Sequence, residues 1–163
     1  MTRYVVMGVS GCGKSRIGAG LAAALGARFI DGDSLHPPAN IAKMSRGEPL
    51  TDADRAPWLA AVGAALTDNT VIACSALKRA YRDLIRNTAA APVTFLYLQG
   101  ARETLLARMS SRPGHFMPAT LLDSQLATLE PPAPDERHLT ADIERPPEEI
   151  IADFLDGLKC MNW

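Results

Sequence analysis

A chain of 163 residues with 47% hydrophobic and 21% charged side chains has enough apolar surface to form one folded domain, which excludes an intrinsically disordered protein. Its 17 basic and 18 acidic side chains nearly cancel, so no broad electric field attracts nucleic acid or an anionic membrane. The sequence has no run of about 18 apolar residues to span a bilayer, and its early glycines argue against a secretory signal peptide.

Strand and helix patterns alternate along the sequence. Short apolar or β-branched runs predict strands at residues 4–7, 28–30, 71–74, 93–98 and 138–143. Helices are predicted at residues 14–25, 51–66, 77–86, 101–109 and 148–158. Gly26 would end the first helix and Thr51 would cap the second. This alternation predicts an α/β fold, with a five-stranded parallel sheet covered by helices on both faces.

A glycine-rich stretch between the first strand and the first helix fits the pattern GxxxxGK[ST] at every position. Glycines let the backbone turn tightly and point several N–H groups at phosphate oxygens, and the following helix adds its positive end. Lys14 would contact the β and γ phosphates of ATP, and Ser15 could ligate Mg²⁺. The predicted nucleotide-binding residues are Gly8, Val9, Ser10, Gly11, Cys12, Gly13, Lys14 and Ser15.

Two acidic residues, Asp31 and Asp33, follow the second predicted strand. Their spacing predicts that they face the same side of an extended segment, in the same crevice as the glycine-rich loop. One could hold Mg²⁺ through its water shell, and the other could accept a proton from a substrate hydroxyl. The alternative is an ordinary polar turn, which Asp and Gly favour.

Several blocks of the sequence resemble gluconokinases, and together they cover nearly the whole chain. The matching blocks are 31–37 (DGDSLHP), 40 with 43–44, 47–50 (GEPL), 52–55 (DADR), 57–59 (PWL), 74–78 (CSALK), 81–82, 114–116 (GHF), 124–125 and 128–130. The resemblance implies a three-layer P-loop kinase fold related to shikimate kinase. It also implies ATP-dependent phosphorylation of D-gluconate to 6-phospho-D-gluconate, in a cytoplasmic homodimer that binds neither nucleic acid nor membrane.

The same resemblance implies one kinase domain over residues 1–163, with a substrate-binding insertion at about 36–58 and a lid at about 110–130. Insertions at 36–50 and 112–118 do interrupt the predicted alternation. By resemblance, Asp33 is the base and Asp31 holds hydrated Mg²⁺. Arg108 would lie near the adenine and phosphates, and Arg112 would reach the transferring phosphoryl group. His115 and Gln125 would approach the substrate.

The carboxylate of gluconate is expected to bind arginine or lysine side chains. The candidates are Arg46, Lys78, Arg79 and Arg82, and the resemblance favours Lys78 and Arg82. These two are four residues apart, so one helix would place both on one face. A solvated basic face is the alternative. His36 could bind a substrate hydroxyl or serve the structure alone.

Two features bear on the metal and the thiols. The strand at 71–74 is followed by Ser75, so it lacks a standard Walker B acid. Either Asp31 takes that role or Mg²⁺ relies on Ser15 and the phosphates.

The cysteines (Cys12, Cys74 and Cys160) are odd in number and far apart, which predicts reduced thiols in a cytosolic protein. Because a helix N-terminus lowers a thiol pKa, alkylation of Cys12 is expected to inactivate the protein unless ATP protects it.

Two other functions compete with a gluconate kinase. A nucleotide-dependent switch would need an NKxD and a DxxG motif, and the sequence contains neither. A kinase for shikimate or a nucleoside monophosphate is the second alternative, against which the blocks at 33–36 and 78–82 argue.

Overall fold

The computed structural model describes residues 2–110 and 119–161. Within these residues, five strands form one parallel sheet in the order β2-β3-β1-β4-β5, which confirms the predicted α/β fold. The strands are β1 (Arg3–Met7), β2 (Arg28–Asp31), β3 (Thr70–Ala73), β4 (Thr94–Gln99) and β5 (His138–Asp142). The helices are α1 (Lys14–Leu25), α2 (Pro38–Ser45), α3 (Asp52–Ala65), α4 (Arg79–Ala89), α5 (Arg102–Ser110), α6 (Ala119–Thr128) and α7 (Pro147–Cys160). A 3₁₀ helix, Gly32–Leu35, follows β2.

Side-chain alternation along the strands divides the core between the two faces of the sheet. In β1, Val5 and Met7 pack on the face covered by α3 and α4, whereas Val6 packs on the face covered by α1 and α7. Burying an aliphatic or aromatic side chain of this kind contributes about 1.5–3 kcal/mol. Within the described residues, no helix is long and apolar enough to cross a bilayer.

Local backbone geometry explains where the elements depart from the predicted bounds. The helix expected from residue 77 begins at Arg79, because Ala76 has a left-handed backbone (φ 45°) and Lys78 is extended. Two helices were not predicted from the sequence patterns, namely α2 within the first insertion and α6, which begins just after the second. The cap at Thr51 is confirmed: its hydroxyl accepts from the Asp54 amide at 3.1 Å, and the Asp54 carboxylate accepts from the Thr51 amide at 2.8 Å.

The register of the sheet brings three strand ends to one edge. Asp31 of β2 and Val6 of β1 both lie beside Ala73 of β3. The segments that follow these strands therefore emerge together, and the loop after the central strand β1 lies in the middle. In open parallel sheets this carboxyl edge is where ligands bind.

Arg82, expected at the substrate, is instead fully buried behind this edge. Its Nε and Nη2 donate to the two carboxylate oxygens of Glu136 at 2.7 and 3.1 Å, and its Nη1 donates to the carbonyl of Ala76 at 2.8 Å. Arg86 also donates to Glu136, at 2.6 Å. Since Lys78 precedes α4 as its N-cap, Lys78 and Arg82 do not share a helical face. The anion that Arg82 binds is a protein carboxylate.

Replacing Glu136 with glutamine is expected to lower the free energy of unfolding by about 3–5 kcal/mol, because Arg82 would keep a buried charge without its counter-charge. Burial by itself raises the pKa of Glu136, but hydrogen bonds from Arg82 and Arg86 outweigh it and lower the pKa from 4.5 to about 2. A folded-state pKa below the unfolded value stabilises the protein above about pH 4.5 and ceases to do so as the pH falls towards 2.

Urea unfolding of both proteins at pH 7 and pH 3 checks this expectation. The difference between wild type and Glu136→Gln should be large at pH 7 and smaller at pH 3. Asp135→Asn is the matched control, because it removes an exposed carboxylate paired with Arg79 and should change stability little. An equal difference at both pH values would contradict the assignment.

Candidate active site

The loop between β1 and α1 has the shape of a phosphate cradle. Gly8, Gly11 and Gly13 all have positive φ, of 151°, 85° and 90°. A Cβ on Gly8 would lie 2.7 Å from the Cys12 sulfur, and one on Gly11 would lie 2.9 Å from the Met109 side chain, so neither position accepts a larger residue. Open space lies beside Gly13. The N-terminus of α1 has neither a side-chain cap nor an acidic residue in its first turn, so its positive end is available to an anion.

Two side chains bind to the backbone of this loop. The Lys14 Nζ donates to the Val9 carbonyl at 3.2 Å, which keeps the ammonium over the cradle. The Gln125 Oε1 accepts from the Ser10 amide at 2.7 Å. The substrate contact expected for Gln125 stays a prediction, and α6 places this side chain on the phosphate loop.

The acidic turn lies beside the cradle, but the two carboxylates have different surroundings. Asp31 turns back on its own segment: its Oδ1 accepts from the Asp33 amide at 3.0 Å, and its Oδ2 lies 3.5 Å from the Ser15 hydroxyl. The Asp33 side chain is exposed. Burial raises the pKa of the neighbouring Cys74 thiol to about 12, and the charges of Lys14, Asp33 and Asp31 all act on that thiol. These three charges therefore act on the residue that follows β3.

The prediction that both carboxylates face one side of an extended segment is wrong in its geometry. Residues 32–35 form a 3₁₀ helix, and Asp31 is its N-cap. The two carboxylates therefore point in different directions: Asp31 lies towards Ser15, and Asp33 is exposed.

The donor atoms at Ser15 and Asp31 fit a magnesium ion. A hydroxyl and a carboxylate oxygen are the hard ligands that Mg²⁺ prefers, and this metal keeps several waters or phosphate oxygens in its shell. Among the described residues, no group of three or more His, Cys, Asp or Glu side chains is placed to bind a metal. A dedicated all-protein metal cage is thus not present in this part of the chain.

An imidazole ring stands next to the acidic turn. His36 stacks on the buried Trp58, with ring centroids 4.1 Å apart and planes 15° from parallel. The Trp58 Nε1 donates to the Gly32 carbonyl at 2.8 Å, which ties α3 to the acidic turn. Burial lowers the pKa of His36, the Asp33 charge raises it and the Arg55 charge lowers it further. His36 accordingly lies between an acidic and a basic group.

A basic cluster completes the same edge. Arg55 and Lys78 each lie over the Tyr81 ring, 5.6 Å from its centroid. Both approach the Asp52 carboxylate, at 3.7 and 3.8 Å. The Tyr81 hydroxyl donates to Asp52 and, with the two cations, lowers the Asp52 pKa. Two cations share one exposed carboxylate, so the cluster has positive charge left for an anionic ligand.

Arg55 and Asn40, a buried residue of α2 that contacts the His36 ring, are the residues that the sequence patterns missed. The spacing of Asp52 and Arg55 in the first turn of a capped helix places both on one face, and this was the available signal. Asn40 has no such spacing signal, and only its place in one of the blocks that resemble gluconokinases singled it out.

The other predicted basic residues divide into three groups. Arg46 and Arg79 pair with exposed carboxylates, Glu48 at 3.1 Å and Asp135 at 2.9 Å. Arg108, late in α5, donates to the Ile143 carbonyl, and its charge reaches Cys12 in the cradle. The predictions for Arg112 and His115 lie outside the described residues.

The expected reactivity of Cys12 is corrected by its burial. The Cys12 side chain is 2% exposed, and desolvation raises its pKa above 9.0 despite the nearby Lys14 charge. Cys74 is also buried, whereas Cys160 is exposed. A buried thiol with a raised pKa is a poor nucleophile, so the helix N-terminus does not activate Cys12.

Brief treatment of the folded protein with iodoacetamide is therefore expected to modify Cys160 and to leave Cys12 and Cys74 unmodified. Peptide mass spectrometry locates the adduct, and a Cys160→Ser variant serves as the control that should take up almost no reagent. Adduct at Cys12 that ATP prevents would restore the original expectation.

A five-stranded parallel sheet with a glycine-rich phosphate loop after its central strand defines a P-loop nucleotide-binding protein. Residues 10–159 match the family model described as shikimate kinase. The chain is 48% identical to the gluconokinase of Gluconobacter oxydans strain 621H, over 93% of this chain and 88% of that one. It is 50% identical to the thermosensitive gluconokinase of Escherichia coli K12, over 83% and 75%. The crystal structure of a gluconokinase from Sinorhizobium meliloti 1021 superposes with a TM-score of 0.88 at 51% identity, covering 96% of this chain and 90% of that one. The chain belongs to the gluconokinase family within the shikimate kinase group.

Proposed function

We propose that this protein transfers the γ-phosphoryl group of ATP to a hydroxyl of D-gluconate and forms 6-phospho-D-gluconate. One observation carries the proposal: the phosphate cradle, the exposed Asp33 carboxylate and the Arg55–Lys78 pair lie at one edge of the sheet. Phosphorylation of gluconate needs all three: a cradle for the phosphates of ATP, a carboxylate beside the acceptor hydroxyl, and cations to bind the gluconate carboxylate.

The cradle binds the nucleotide. Backbone amides and the N-terminus of α1 face the phosphate tail, and Lys14 supplies a positive charge where negative charge develops during transfer. Mg²⁺, held by Ser15 and Asp31 together with phosphate oxygens, would neutralise phosphate charge. Arg108 lies close enough for its charge to act on the cradle, which supports its assignment to the nucleotide.

The acceptor hydroxyl meets Asp33. The oxygen of the hydroxyl forms a bond to the γ-phosphorus as the bond from that phosphorus to the β–γ bridging oxygen breaks, and the hydroxyl proton passes to the Asp33 carboxylate. ADP leaves with the bridging oxygen. Because the transition state of phosphoryl transfer is loose, the position of the hydroxyl matters as much as the removal of its proton. We assign Arg112 to the transferring phosphoryl group and His115 to the substrate by resemblance to the family.

Arg55 and Lys78 are the partners proposed for the gluconate carboxylate. Arg55 presents a planar guanidinium suited to two parallel hydrogen bonds, and Lys78 adds a point charge. Asp52 and Tyr81 hold the two cations in place. Arg46, Arg79 and Arg82 are left out of this assignment, because each pairs closely with a carboxylate at 2.7–3.1 Å, whereas Arg55 and Lys78 share the single Asp52 carboxylate at 3.7 and 3.8 Å.

A coupled assay of ADP release tests the proposal with four acceptors: gluconate, glucitol, shikimate and AMP. Glucitol has the same chain of hydroxyls as gluconate but no carboxylate. We expect the highest kcat/KM with gluconate and a large loss with glucitol, chiefly in KM. Equal rates with gluconate and glucitol would refute carboxylate recognition, and preference for shikimate or AMP would refute the assigned substrate.

The proposal also includes a requirement for Mg²⁺, a cytoplasmic location and a homodimer, all three supported by the family resemblance. Light scattering of the purified protein measures the assembly, with about 35 kDa expected for two chains of 17.5 kDa. Titration of the assay with EDTA and Mg²⁺ measures the metal requirement.

A further inference from the structure

The buried side chain of Asn40 has an orientation that its neighbours determine. Asn40 is 4% exposed, and its Nδ2 lies 2.9 Å from the backbone carbonyl oxygen of Asp54. A carbonyl oxygen only accepts hydrogen bonds, so the amide must present its NH₂ group there. The opposite orientation would place two oxygens face to face at this distance.

This orientation assigns the proton on the neighbouring imidazole. The same Nδ2 of Asn40 lies 3.2 Å from the Nδ1 of His36. An amide nitrogen donates and does not accept, so Nδ1 must be the acceptor and has no proton. In neutral histidine the proton is then on Nε2. An imidazolium would set an N–H against the Asn40 NH₂, and burial of the ring also lowers the pKa of His36.

The rest of the site holds the ring in one plane. His36 stacks on Trp58, and Trp58 is held by the Gly32 carbonyl between the two acidic residues. Nδ1 faces α2, so Nε2 lies on another edge of the ring. Within residues 2–110 and 119–161 the structure shows no protein acceptor for Nε2. The ring is near enough to Asp33 for that charge to act on it.

We propose that Asn40 is a positioning residue that holds His36 as the neutral Nε2–H tautomer, so that His36 donates a hydrogen bond to a hydroxyl oxygen of the substrate beside Asp33. The substrate half of this inference rests on the proposed function. A hydroxyl group both donates and accepts, so it can give its hydrogen to Asp33 while its oxygen accepts from His36 Nε2. With a proton on Nε2, this ring nitrogen has no lone pair available to accept the hydroxyl proton. His36 therefore does not compete with Asp33 as the base.

Long-range ¹H–¹⁵N spectra of protein labelled with ¹⁵N-histidine test the tautomer without any assay of activity. His36→Gln identifies the His36 signals by their loss. At pH 7 we expect the His36 Nδ1 shift in the unprotonated range and the Nε2 shift in the protonated range. A proton on Nδ1, with or without one on Nε2, would overturn the assignment.

Asn40→Asp tests the positioning role. Its carboxylate accepts and does not donate, so His36 should move a proton to Nδ1, and kcat/KM for gluconate should fall about tenfold, the scale of one hydrogen bond. The KM for ATP should not change. Asn40→Leu is the matched variant of similar volume, with neither donor nor acceptor. It should give a mixture of tautomers and a smaller loss, and it keeps the test available if Asn40→Asp does not fold.

The readouts separate this inference from its alternatives. A purely structural role for Asn40 predicts that kcat/KM follows the thermal stability of the variants, and that result would overturn the proposal. Unchanged kcat/KM in a variant whose tautomer has moved would overturn it as well. If the wild type has the Nε2–H tautomer but does not phosphorylate gluconate, the proposed function and the donor role fail together, whereas the tautomer assignment stands.

Discussion

Lys14→Ala lowers kcat for phosphoryl transfer by about 100-fold or more, an expected loss of roughly 2.7 kcal/mol of transition-state stabilisation. Lys14 lies over the cradle with its ammonium on the Val9 carbonyl, so its charge is already in place before the reaction. Charge that needs no reorganisation stabilises the transition state more than charge recruited from solvent. Steady-state kinetics with saturating ATP and gluconate measure the effect.

A matched control distinguishes this effect from the loss of any positive charge. Lys159 is exposed in the last turn of α7 and has no part in the site. Lys159→Ala should keep wild-type kcat. A Lys14→Ala protein with kcat within a few-fold of this control would show that the cradle amides suffice.

Asp33→Asn is expected to lower kcat by about 10²–10⁴, the range for removing a general base. Asparagine has almost the same shape and still accepts a hydrogen bond, but it cannot take the hydroxyl proton. ATP binding should persist, since Asp31 and not Asp33 faces Ser15 and the phosphate loop. Rapid-quench measurement of the phosphorylated product, with ATP affinity from fluorescence titration, separates the two effects.

Asp156→Asn is the matched control for this substitution, because Asp156 is exposed on α7 and takes no part in the site. We expect no change in kcat for the control. A near-normal kcat in Asp33→Asn would refute the base role and leave positioning of the hydroxyl as the function of this residue.

Elements that depend on neighbours in sequence could be predicted from the chain alone. The phosphate loop is an example, because the glycines, Lys14 and Ser15 are contiguous and the loop conformation depends on their own backbone freedom. The cap of α3 is another, since Thr51 and Asp54 satisfy each other within one turn. The alternation of strands and helices predicted the parallel sheet for the same reason.

The hydrogen-bond partners and the burial of individual polar side chains could not be predicted in this way. Arg82 looks like a substrate ligand in the sequence, and its partner Glu136 is 54 residues further along the chain. Gln125 reaches the Ser10 amide across 115 residues. Cys12 stands at a helix N-terminus that ordinarily lowers a thiol pKa, yet packing by distant residues buries it and raises the pKa.

The P-loop α/β class could be predicted from the chain alone, because the phosphate loop and the backbone alternation are properties of short segments, whereas the gluconokinase family was implied only by the resemblance of its sequence blocks. Only the packing of distant segments sets which charged groups are paired within the protein and which are available at the carboxyl edge of the sheet. Each such group is paired or left available according to which distant carboxylate, carbonyl or ring the fold brings within hydrogen-bond reach, and desolvation at that place sets its protonation.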